Sequence, residues 1–120
     1  MEKRFHEKLK EKMDEFVHLV YRVTKIFPKE ELYGATSQLR RAALSVILNY
    51  VEGYARKRRL VKINFLETSY GSMQESNYLL EFALKEGWLR EDDYNNASIL
   101  ARETSAMLWK TIEGLENETH

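Results

Sequence analysis

The sequence predicts an all-α protein: an antiparallel up-and-down four-helix bundle. Three observations carry this. Apolar residues recur at the helical period in four segments, not at the alternating spacing of strands. The 120 residues include one proline, Pro28, and five glycines, too few turn formers for many short strands. The connections are short, so neighbouring helices should run antiparallel within a single domain, residues 1–120.

In the first segment Leu9, Met13, Phe16, Val20, Val23 and Phe27 recur at three- and four-residue steps. Phe27-Pro28 ends it, because a residue before proline avoids the helical region. The second helix is expected to open at Thr36 or Ser37, both good caps, and to run to about Arg56. The stripe of the third is Leu66, Tyr70, Met73, Asn77, Leu80 and Leu84, with Gly87 suited to a C-terminal cap. The fourth carries Ala97, Leu100, Ala101, Thr104, Leu108, Thr111 and Leu115.

The second helix is unusual. Leu39, Ala43, Val46, Tyr50 and Tyr54 form the stripe expected to enter the bundle core. Leu44, Leu48, Val51 and Ala55 form another on roughly the opposite side. A narrow polar strip with Arg41, Ser45, Glu52 and Arg56 separates them. A helix apolar on two faces buries both, and one bundle covers only one. The residues therefore predict a homo-oligomer that covers Leu44, Leu48, Val51 and Ala55. Three polar or small positions are read as structural. Asn49 edges the core stripe, Glu52 pairs with Arg56 or Arg41, and Gly53 permits close backbone approach at a cost of about 1 kcal/mol relative to alanine.

Charge is unevenly placed on a chain whose formal net charge is zero. Residues 40–62 sum to +6 and residues 67–120 to −7. Arg56, Lys57, Arg58, Arg59 and Lys62 crowd the end of the second helix, and this is the best candidate functional feature. Such clusters hold phosphate backbones by charge and counterion release, and ring symmetry would gather several copies into one surface. Arg40 and Arg41 are secondary candidates, and Tyr54 is read as packing and not as a base-stacking platform.

Other chemistries find little support. Glu15-x-x-His18 has the spacing of carboxylate-bridged di-metal bundles, but it occurs once and faces away from Leu9, Met13 and Val20. His6 and His120 lie near the ends. No nucleophile or phosphate-loop motif is present, so neither catalysis, a metal nor a cofactor is expected. The absence of cysteine, of a long apolar run and of an apolar segment in MEKRFHEKLKEK predicts a cytoplasmic protein without membrane contact.

Thr36-Ser-Gln-Leu-Arg-Arg-Ala-Ala43, then Ser45, Asn49, Glu52 and Gly53, carry a family likeness. It continues through Phe27-Pro28-Lys29-Glu30-Glu31, Tyr33-Gly34, Gly71-Ser72, Glu75 and Gly87-Trp88-Leu89. Over residues 8 to 116 the chain resembles the bacterial four-helix bundle family of the 23S ribosomal RNA intervening-sequence proteins. The accessory variability protein of diversity-generating retroelements resembles that family too. The resemblance implies a homopentameric ring without enzymatic activity. The chain departs from the family pattern at Tyr50 and Val51 and at Ser69 and Tyr70, and its neutral charge departs from the basic surface of the retroelement relative. The expected ligand is RNA or DNA. The alternative is a protein-binding scaffold, or an accessory subunit to a partner such as a reverse transcriptase, without nucleic-acid contact.

Overall fold

A computed structural model describes residues 3–118. Four helices pack side by side: α1 (Lys3–Val23), α2 (Ala35–Ala55), α3 (Arg59–Lys85) and α4 (Glu91–Glu116). There are no strands among the described residues. Pairings between elements fix the directions. The start of α1 meets the end of α2 through His6 and Tyr50, and Arg40 near the start of α2 meets Thr24 after α1. Ser45 meets Ser72, Lys62 meets Tyr54, and Gln74 of α3 meets Ser105 of α4. Each helix thus runs opposite to the one before it.

The ends of the helices follow local chemistry. After α1 a 3-10 turn covers Thr24–Ile26, and Phe27 is extended (ψ 154°), as the following Pro28 requires. A second 3-10 turn, Lys29–Glu31, leads to α2. Neither Thr36 nor Ser37 caps α2. The cap position is Gly34, and the Glu31 carboxylate accepts the Ala35 N–H (3.1 Å), doing from the preceding turn what a hydroxyl was expected to do. Thr36 is instead buried in the first helical turn. At the end of α3, Gly87 has φ +82°. Its N–H reaches Leu84 O, the Trp88 N–H reaches Ala83 O, and Trp88 meets Phe82 edge-on at 5.7 Å, a complete Schellman ending. Glu91, Asp92 and Asp93 occupy the first turn of α4, where negative charge offsets the helix dipole.

All six apolar residues read from the first helix are buried. Leu39, Ala43, Val46 and Tyr50 join them from α2, and Leu66, Met73 and Leu80 from α3. Tyr54 does not: it is 41% exposed, because α2 and α1 both end there and nothing lies beyond to cover it. The α3 stripe is rotated from its expected centre. Tyr70, Asn77 and Leu84 sit at its rim, while Ser69, Ser76 and Ala83 are buried. Small residues let α3 lie close to α2, with Ser69 Oγ donating to Val46 O. In α4 the centre is Ala97, Ala101, Thr104, Leu108 and Ile112, with Leu100, Thr111 and Leu115 partly buried.

The Asn49, Glu52 and Gly53 motif belongs to this α2–α3 seam. Asn49 Nδ2 donates to Ser45 O and to Ser45 Oγ (both 2.9 Å), and Ser45 Oγ bonds Ser72 Oγ (2.8 Å). Glu52 pairs with Arg56 at 2.6 Å, one turn on, and not with Arg41. At Gly53 an added Cβ would lie 2.9 Å from Phe65 Cβ and 3.3 Å from Lys62 O. Neither neighbour is the loose end of a side chain. Gly53→Ala gains about 1 kcal/mol of helix propensity but overpacks the seam, which costs about 1–3 kcal/mol. The expected outcome is a net destabilisation, read as a lower urea midpoint. An equal or higher midpoint would show that α2 and α3 do not approach closely.

Candidate nucleic-acid interface

The basic residues 56–62 lie where α2 ends and α3 begins. Arg56 (ψ 147°) and Arg58 (ψ 129°) are extended, so the turn is three residues long. The last carbonyls of α2 and α4 share this end of the bundle, and helix C-termini attract cations. Three of the five side chains answer that attraction or a local partner. Lys62 Nζ donates to Tyr54 O (2.9 Å) and lies 5.6 Å from the Tyr54 ring centre. Arg59 Nη1 donates to Leu115 O and Glu118 O, both at 3.1 Å, and so ties α3 to the end of α4. Arg56 holds Glu52 and lies over the Phe65 ring at 5.1 Å. Lys57 and Arg58 are exposed and have no hydrogen bond or ion pair among the described residues.

The seven basic candidates therefore do not form one patch. Arg40 lies 17 residues before Lys57 on the same helix, roughly 25 Å away along its axis. Its Nε donates to Thr24 Oγ1 (2.7 Å), and its guanidinium sits 5.0 Å from the Tyr21 ring centre, locking α2 to the end of α1. Arg41 is exposed beside the outer apolar row. In that row Leu44 is 39% exposed, Leu48 57% and Val51 44%, and Ala55 is exposed too. The row ends at the basic turn, so whatever covers it also approaches Lys57 and Arg58.

Over residues 7–110 the sequence matches the family described as 23S rRNA-intervening sequence protein. The chain belongs to that family. Its fold is similar to a crystal structure of a protein of unknown function from the S23 ribosomal protein family of Bacteroides thetaiotaomicron, with a TM-score of 0.82 at 20% identity. The similarity covers 91% of this chain and 98% of that one. No curated protein matches the sequence.

This intervening-sequence family member has a feature at its basic end that sequence reasoning missed. A groove of about 760 Å³ opens there, with Phe5, Tyr50, Gly53, Leu66, Lys110 and Gly114 among its lining. Beside it, His6 stacks on Tyr54 with ring centres 3.4 Å apart and hydrogen-bonds the Tyr50 hydroxyl at 2.7 Å. Burial, then the charge of Lys10, lowers the His6 pKa below its usual value. Burial, then Tyr54, pushes the Tyr50 phenol up, so it keeps its proton. No local signal marks this cluster, since His6 and Tyr50 lie 44 residues apart. His18 is exposed and pairs with Asp14 (3.5 Å) and not with Glu15. Among the described residues no three histidine, cysteine or acidic side chains gather as a metal site, and no helix is long and apolar enough to cross a membrane.

Proposed function

We propose that the protein is a non-enzymatic, cytoplasmic homo-oligomer that holds RNA or DNA phosphates at a surface assembled from several copies of the α2–α3 turn. One observation carries the reading: the exposed Leu44, Leu48 and Val51 row runs into a turn whose Lys57 and Arg58 have no partner of their own. Covering the row removes apolar surface from water, worth about 25 cal/mol per Å². The same step brings neighbouring turns together, and the summed charge attracts a polyanion more than any single turn does. Five copies is the number that the family resemblance implies. The family's name supports an RNA connection. Lys57 and Arg58 are the principal phosphate contacts, with Arg56 and Lys62 adding charge beside them; Arg59 and Arg40 act chiefly as ties between helices.

A second reading, a protein-binding scaffold or accessory subunit, draws support from the engagement of Arg56, Arg59 and Lys62 within their own chain. Generic RNA titrated against salt separates the two. Phosphate contacts make the logarithm of affinity fall linearly with the logarithm of salt, by about 0.7 per contact on single strands. A steep decline with a slope of several units is the expected result. No measurable binding at low salt would leave the scaffold as the function.

A further inference from the structure

Gly71 lies mid-way along α3, is exposed, and would have nothing within 4 Å of an added Cβ. A glycine inside a helix costs about 1 kcal/mol relative to alanine. At Gly53 the chain's own α3 uses the room; at Gly71 nothing in the chain does. By the helical period Tyr78, two turns on, shares the outer face of α3 with Gly71, and Tyr78 is 61% exposed. On the α4 side stands Trp109, 51% exposed, its ring 5.3 Å from that of Tyr70, the residue before Gly71. Large exposed aromatics beside a bare backbone are the anatomy of a contact centre, where tryptophan and tyrosine are enriched.

We propose that this outer face of α3, centred on Gly71 between Tyr78 and Trp109, seats the Leu44, Leu48 and Val51 row of a second copy of the chain. The inference rests on the assembly reading above and assigns its missing half. Charge supports the pairing. Arg41 and the basic turn flank the α2 row, whereas Glu67 and Glu113 are exposed near the α3 seat, in the stretch that sums to −7. Joining two α2 rows face to face would instead crowd arginines, since Glu52, the only acid of residues 40–62, already pairs with its own Arg56. A row that fits a different surface makes a head-to-tail contact, which closes into rings.

The test uses two variants of the full chain. Leu48→Arg spoils the row and leaves the seat. Gly71→Arg spoils the seat and leaves the row, and its side chain enters open space in the folded subunit, so the fold is retained; circular dichroism checks this. Each alone is expected to sediment as a single subunit. Mixed in equal amounts, they are expected to give a cross-linked two-chain species absent from either alone, because one good row meets one good seat. If Gly71→Arg assembles like the unaltered chain, or if both variants are single subunits and the mixture forms no pair, the seat is wrong. If Leu48→Arg itself remains assembled, the assembly reading falls and this inference with it.

Discussion

Leu48→Arg is expected to turn an assembled protein into single folded subunits, with helix content unchanged. Leu48 is the most exposed member of the outer row, at 57%, so the substitution removes no packing from the core of its own subunit. A monomer accepts arginine there readily, and surface changes of this kind usually move stability by less than about 0.5 kcal/mol. In an interface the same side chain places an unpaired charge among Leu44, Val51 and the covering residues. Burying a charge without a partner costs several kcal/mol per site, enough to shift an association constant by orders of magnitude. The effect on RNA binding follows from the effect on assembly. Separated turns each offer two unengaged cations, so affinity for a generic RNA should fall together with mass. Gel filtration and an RNA titration on the same sample check both. An assembled Leu48→Arg that binds RNA unchanged would remove the outer row from the account.

The second large effect belongs to Lys57→Glu with Arg58→Glu. The pair reverses four charges per copy at the two side chains with no internal duty. RNA affinity at low salt should fall at least about tenfold, and the salt slope should shrink, since each lost phosphate contact removes about one unit of slope. Mass and stability should stay as they were. Arg59 is a poor choice for this experiment. Glutamate there would set a carboxylate against the Leu115 and Glu118 carbonyls and loosen α4, confusing lost binding with lost structure. Unchanged RNA affinity in the Lys57 and Arg58 variant would favour the scaffold reading.

Much of this architecture was legible in the sequence because helical burial is periodic and local. The stripe from Leu9 to Phe27 needs only the pitch of a helix to be read, and the glycine after α3 announces its own left-handed turn. Even the odd feature of α2, two apolar faces on one helix, is a pattern in residue order. What escaped was whatever depends on register between distant segments. Arg59 reads as one cation among five until α4 ends beside it and presents two carbonyls. Arg40 reads as part of a basic surface until the turn after α1 offers Thr24 and Tyr21. Tyr54 continues the core stripe by spacing, yet the bundle stops at its level, and it meets His6 and Lys62 instead of a core. Gly71 was visible as part of a family motif, but only the empty space around it separates its case from that of Gly53.

Light scattering of the unaltered protein, at the concentration where it binds RNA, bears most directly on whether several copies unite their basic turns. The account predicts a single species with a mass several times the 14.3 kDa of one chain. A mass of 14.3 kDa would mean that the outer row of α2 faces water in the working protein, and would contradict the account.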